Sequence, residues 1–358
     1  MKAFSLIVMV FLVATVVRAQ EEESGSKALN LTIGNTGISF GNAPRINGLR
    51  FNWSDSGVEE INGLNFTLWK PSEKHPSGDI NGLALGLINP AADRIRGIAF
   101  TPGAVLTGTS MEGLNLAGLA LVSQGSMSGI NVAGLAAVGQ GNIAGINLAG
   151  LATVAQGSIT GMSVGGLAVV SQGSMSGVGL AVLATVAQGN IGGISFGGLA
   201  TVAQGDITGL TFGGLATVAQ GDATGLSIGG IAVVGQGELT GIFVGGVAVV
   251  GQKSISGITA TLGQIESEGS VSGFSLAGYK IDARTVTGVN VGVLWTETEN
   301  IGFLTVGGYN RTYDTQTGLT IGLFNHAHNL AGVQIGLLNH VETNPEGLKW
   351  LPILNVKF

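Results

Sequence analysis

The chain reads as an all-β solenoid, and three features of its sequence predict that fold. First, nine glutamines stand sixteen residues apart: Gln124, Gln140, Gln156, Gln172, Gln188, Gln204, Gln220, Gln236 and Gln252. A strict period of this length belongs to stacked repeats, each unit resting on its neighbours. Second, the columns between the glutamines keep their chemistry. Ala120 through Ala248 is always alanine, Val122 through Val250 always valine, and Gly113 through Gly241 always glycine. Third, within the unit Gly205 to Gln220, Leu210 and Phe212 alternate with Thr211, the two-residue period of a half-buried strand.

Each unit then resolves into two short strands. Gly213–Gly214 interrupts the first strand and makes a corner, and Leu215 to Ala219 forms the second. Gln220–Gly221 and a polar residue close the coil. Stacked aliphatics such as Leu210, Phe212 and Leu215 are expected to fill the interior. The glutamines are expected to form a ladder, each amide donating to the next coil and accepting from the last.

The repeat extends well beyond the glutamines. Its starting hydrophobe recurs at Ile95, Met111 and every sixteen residues to Val271. Looser copies begin at Ile46, Ile61 and Ile80 before it, and at Val286, Gln316 and Leu330 after it. The expected array has about twenty coils of roughly 14–19 residues, with insertions near 70–79 and 262–268. In chain order, residues 1–19 read as a secretory signal peptide, with a basic start, an apolar run from Ala3 and a cut after Ala19. Residues 20–27 read as a flexible lead-in, 28–103 as irregular N-terminal repeats or a cap, 104–271 as the regular array, and 272–358 as irregular C-terminal repeats or a cap.

Composition narrows the function classes. With no cysteine there are no disulfides and no thiol chemistry. Between residues 97 and 265 only Glu112, Asp206, Asp222, Glu238 and Lys253 carry charge, and the formal net charge is −6. That leaves no basic groove for nucleic acid. The glycines recur in every unit with no following lysine, so they read as corners and not as a phosphate cradle. A hydrolytic β-helix would place carboxylate clusters on one face, and the array has none, so no catalysis and no cofactor is expected. Arg45, Arg50, Lys70 and Lys74 read as scattered, solvated charges.

One constellation has the chemistry of a metal site. His326 and His328 share a strand face, and His340 and Glu342 take the corresponding places one unit later, so stacking would gather four zinc or copper ligands.

The tail GLTIGLFNHAHN and GVQIGLLNHVETNP, closed by GLKWLPILNVKF, resembles an uncharacterised family of bacterial surface-repeat proteins with GLxIGLxN units and a terminal LPxxNxxF. The resemblance spans most of residues 46–358. It implies an exported envelope protein and supplies no activity and no functional residues.

The rival architecture is an up-and-down outer-membrane β-barrel. Leu348, Trp350, Leu354, Val356 and Phe358 alternate with Lys349, Asn355 and Lys357, as in a closing barrel strand. Against it, no 32-residue alternation of loops appears, residues 104–273 lack Trp and Tyr, and Pro352 interrupts the last strand. The resulting expectation is an exported structural or interaction protein that meets a surface partner or its own copies. Association with an outer membrane through residues 347–358 is part of that expectation.

Overall fold

The structure, a computed structural model, describes residues 28–72 and 75–357. The expected signal peptide 1–19 and lead-in 20–27, together with Lys74 and Phe358, lie outside the described residues. The described residues are all-β with no helix and wind as a β-solenoid rather than a barrel. The chain divides into two compact units, Met1–Gly166 and Leu167–Phe358, with the same internal plan.

The direction of strand pairing decides between the two architectures. In the first unit Ile143–Ala149 pairs in parallel with Ser126–Ala133 and Ile159–Gly165, each residue opposite the one sixteen away. In the second, Ile207–Gly213 pairs likewise with Ile191–Gly197 and Ala223–Gly229. An up-and-down barrel needs antiparallel neighbours. Parallel pairing at the repeat period requires each coil to turn fully around before it meets its copy.

The coil from Gly205 to Gln220 shows how. Its strands are Ile207–Gly213 and Ala216–Ala219. Corners are stitched to the preceding coil by Leu215 N–H donating to Leu199 O (2.7 Å) and Gln220 N–H to Ala203 O (3.0 Å). A further bend lies inside the first strand at Gly209, where φ is +111°. Glycine alone takes that angle cheaply, and a Cβ there would run into the carbonyl oxygen of Gly193.

The burial pattern of this strand corrects the expected interior. Ile207, Thr211 and Gly213 face inward. Thr211 is 3% exposed, whereas Leu210 is 49% and Leu215 47% exposed. Leu210, Phe212 and Leu215 therefore do not fill the core. The reason is width. The Thr201 hydroxyl donates across the interior to Phe212 O at 2.8 Å, and Thr185 and Thr217 do the same to Phe196 O and Ile228 O at 2.9 Å. In most coils the large inward side chain stands at the place of Ile207, although Ala223 takes that place in one coil and the next coil buries Phe243 together with Leu239. Met175, Ile191, Ile207, Leu239 and Ile255 take that place in the second unit, each worth roughly 1.5–3 kcal/mol of burial.

The first unit repeats the scheme with Met111, Met127, Ile143 and Ile159 as its large inward residues. Beside them runs a buried amide ladder. Asn115 Nδ2 donates to Asn131 Oδ1 (2.7 Å), Asn131 to Asn147 (2.8 Å), and Asn147 to Ser163 Oγ (3.2 Å). Each partner satisfies the next, so a polar column survives inside. Nearer the N-terminus Arg50 is wholly buried, which overturns its reading as a solvated charge. Its Nη1 donates to Asp55 Oδ1 (2.7 Å) and Asn65 Oδ1 (2.8 Å), because a buried guanidinium needs a counter-ion and acceptors.

Both ends reverse direction. Ala28–Ile33 folds back antiparallel on Thr36–Gly41 to begin the first unit. Trp350–Lys357 lies antiparallel on the end of the long strand Lys280–Val341 to finish the second. The final strand thus acts as a cap. Pro352 does not break it, because it falls where the register shifts between Gly336 and Asn339 and no ladder N–H is required.

Two stability outcomes follow from this packing. Ile207→Ala should cost about 2–5 kcal/mol in denaturant unfolding, while Leu210→Ala stays within roughly 1 kcal/mol; the reverse order would restore an interior filled by Leu210. Phe303, with φ of +78° and largely exposed, occupies the ladder place of Gly288 and Gly318. Phe303→Gly should therefore raise stability by about 1 kcal/mol, read as an increased Tm.

Candidate interaction surfaces

Because the interior takes the small and polar residues, the aliphatic columns are left outside. In the second unit Ile194, Leu210, Ile242 and Ile258 form one exposed row, and Leu183, Leu199, Leu215, Ile231 and Val247 form another at the corner. Phe196 and Phe212 lie beside the first row and stack with ring centroids 4.9 Å apart. The strands after the corner, Ala184–Ala187 to Ala248–Gly251, turn alanine and valine outward and their alternate residues inward. The first unit shows the same rows through Ile130 and Ile146, Leu135 and Leu151, and Ala136 and Val138. An open groove of about 310 Å³ there is lined by Phe100, Pro102, Leu116 and Val132. Contiguous exposed rows of this kind mark a contact surface.

The remaining side is polar and includes the glutamines. Gln124, Gln140, Gln156, Gln172, Gln188, Gln204, Gln220, Gln236 and Gln252 are exposed at their corners. Among the described residues no side-chain hydrogen bond joins one of these glutamines to the next. What repeats is the backbone bond, such as Gln140 N–H to Ser123 O at 3.0 Å. The turn ladder forms two residues later. Asp206 N–H donates to Asn190 Oδ1 (2.9 Å), Asp222 N–H to Asp206 Oδ1 (2.9 Å), and Glu238 N–H to Asp222 Oδ1 (2.8 Å). A short side chain held over the next coil's amide makes that bond, whereas the longer glutamine reaches water.

The histidine constellation does assemble, but not as a ligand set. Glu342 bridges two imidazoles, with Oε1 2.9 Å from His326 Nε2 and Oε2 2.7 Å from His328 Nδ1. His340 stacks on Trp350 (4.1 Å between centroids) and lies tilted by 48° against His326 (4.7 Å). Among the described residues no group of three or more His, Cys, Asp or Glu side chains is arranged to hold a metal ion. The carboxylate that would bind the ion already accepts two hydrogen bonds. Those bonds, from His328 first and then His326, hold the Glu342 carboxyl below its ordinary range. Burial, then the neighbouring His326, lowers the His340 pKa.

A second charged feature escaped the sequence reading. Glu268, Asp282, Arg284, Glu297, Glu299 and Tyr313 line an open cleft of about 540 Å³. Lys280 Nζ sits 2.7 Å from both Asp282 and Glu297, and the Tyr313 hydroxyl donates to Glu297. These bonds, Lys280 foremost, keep Glu297 ionised. Its signal in the sequence was the recurrence of charged pairs at 280/282 and 297/299, one coil apart. Lys280 and Arg284 offset part of the charge of the four acids, with Arg284 3.8 Å from Glu299.

Compared with family models, with curated proteins and with solved structures, the chain matches none.

The terminal patch should make stability pH-dependent. The lowered His340 pKa means the unfolded chain takes up its proton first, so stability falls as pH drops below about 6.5. The depressed Glu342 pKa contributes stability above the ordinary carboxylate range, and that is lost as pH falls through the folded value. Thermal unfolding from pH 7.5 to 3.5 should show both losses. His340→Phe, which keeps a ring against Trp350, should flatten the first, and Glu342→Gln the second.

Proposed function

We propose that the protein is an exported component of a bacterial cell envelope, placed at the cell surface or outer membrane, with a structural or interaction role and no catalysis. The observation that carries this reading is the register of exposed aliphatic rows along the regular array. A water-facing solenoid has no use for them, and a large apolar patch is a contact surface. The leader-like residues 1–19 and the tail units that resemble surface-repeat proteins favour export. The Lys280-paired Glu297 and the bridged Glu342 favour binding over chemistry, since neither is a free base beside a nucleophile.

The terminal strand bears on how the protein meets a membrane. Trp350, Ile353, Leu354 and Val356 are exposed on the cap, which supports membrane association through residues 347–358 as one form of this role.

Export is the step to test. Expressed in a Gram-negative host, the chain should be recovered outside the cytoplasm with Gln20 as its N-terminal residue, read by mass spectrometry. Uncleaved protein retained in the cytoplasm would refute the assignment.

A further inference from the structure

We propose that the alanine–valine face of the regular array is the contact surface between two copies of this chain. This deepens the interaction role above and rests on it. Uniformity within the short strand is the first observation. In nine successive coils the outward residues of the short strand are alanine and valine without exception, from Ala120 and Val122 to Ala248 and Val250. The inward residue between them varies freely: Leu121, Ala137, Thr153, Val169, Thr185, Thr201, Thr217, Val233 and Val249. Where water lies outside, packing constrains the interior and the surface drifts. Here the outside is uniform and the inside varies. A contact that touches every coil explains that inversion.

The shape of the face suits a copy of itself. Alanine rows make shallow grooves beside ridges of valine and of the corner leucines, all running along the stacking direction. A facing surface fits these ridges along its whole length only if it repeats at the same spacing of about 4.8 Å. A second copy has that spacing by construction, and a two-fold axis sets like rows against like.

Charge points the same way. A chain of net charge −6 repels its copies over most of its surface, but none of the outward alanines and valines is ionisable. The next coils replace them with Gln264 and Glu266, then Lys280 and Asp282. The neutral face ends where charged rungs begin.

Within the second unit alone, six coils at about 4.8 Å each and roughly 16 Å across with the leucine corner present about 460 Å², more than half of the roughly 800 Å² per partner of a stable interface. The other apolar row is less suited, since it mixes Phe196 and Phe212 with Ala260 and offers no level surface. A lipid occupant would call for basic or aromatic residues on the face, and the alanine and valine rows have neither.

The test uses the mature chain from Gln20 to Phe358 without detergent. In sedimentation the wild type should be a dimer. Val202→Lys with Val218→Lys should weaken dimerisation at least about 100-fold while leaving circular dichroism unchanged, with Tm falling only as far as loss of the dimer requires. Thr208→Lys with Thr224→Lys, on the polar side, should leave the dimer intact. Because the chain has no cysteine, single cysteines offer an independent reading that does not depend on a folded lysine variant. Among Ala200→Cys, Ala216→Cys and Ala232→Cys, at least one should oxidise to a covalent dimer, and Thr208→Cys should not. A monomeric wild type, or a dimer indifferent to both sets, overturns the proposal. If that monomer binds phosphatidylcholine vesicles through the same valines, the occupant is lipid and the interaction role stands. If it binds neither its copy nor vesicles, and valine substitution changes nothing, that role fails as well.

Discussion

The structure depends on one hydrogen bond repeated many times, from a backbone amide to the carbonyl of the residue about sixteen positions earlier. Leu215 to Leu199 at a corner is one instance, and the ladders on either side of Ile207–Gly213 are others. Because the bond joins equivalent residues, every column must tolerate a copy of itself about 4.8 Å away. Each residue's neighbours above and below are then close variants of itself. Glycine holds the closest approach, where any Cβ would meet the previous coil's carbonyl.

A coil of sixteen residues that must close on itself is narrow, and narrowness sets the composition of both sides. A few large residues and several small ones fill the interior, with threonine hydroxyls reaching the opposite wall. Polar side chains survive there because the ladder supplies each with an identical partner, as along Asn115, Asn131 and Asn147. The larger aliphatics have nowhere to go but out. The apolar exterior is thus a geometric consequence of the short repeat, while the uniformity of its alanine and valine rows is not. That distinction is what turns a packing result into an argument about binding.

The two ends depart from this regularity and carry the chemistry the array lacks. Arg50 and Asp55 form a buried ion pair near the start. Near the finish, Lys280, Glu297 and Tyr313 compensate one another, and Glu342 ties His326 to His328. Arg50 and Asp55 are five residues apart, but at the finish the coil-to-coil spacing brings opposite charges or hydrogen-bonding partners together, so those groups hold irregular coils in register. Antiparallel strands then close the first unit at its start and the second at its finish, covering edges that would otherwise recruit further strands.

The period and the stacking of coils were legible in the residues alone, because a sixteen-residue repeat with glycine at fixed places admits few ways to stack; whether the last strand caps the stack was not. The gathering of His326, His328, His340 and Glu342 was legible for the same reason, being a matter of register. Which side each column faces was not. Alternation marks two faces without saying which is buried: Ile207, Thr211 and Gly213 turn inward, and Leu210 outward. Nor did the sequence reveal that Arg50 is buried or that the turn ladder runs through Asn190, Asp206 and Asp222 and not through the glutamines. Those outcomes depend on the width of the closed coil and on side-chain reach across it. Sequence by itself determined that the chain stacks; the closed coil decided what faces water, because only closure sets how much space lies inside.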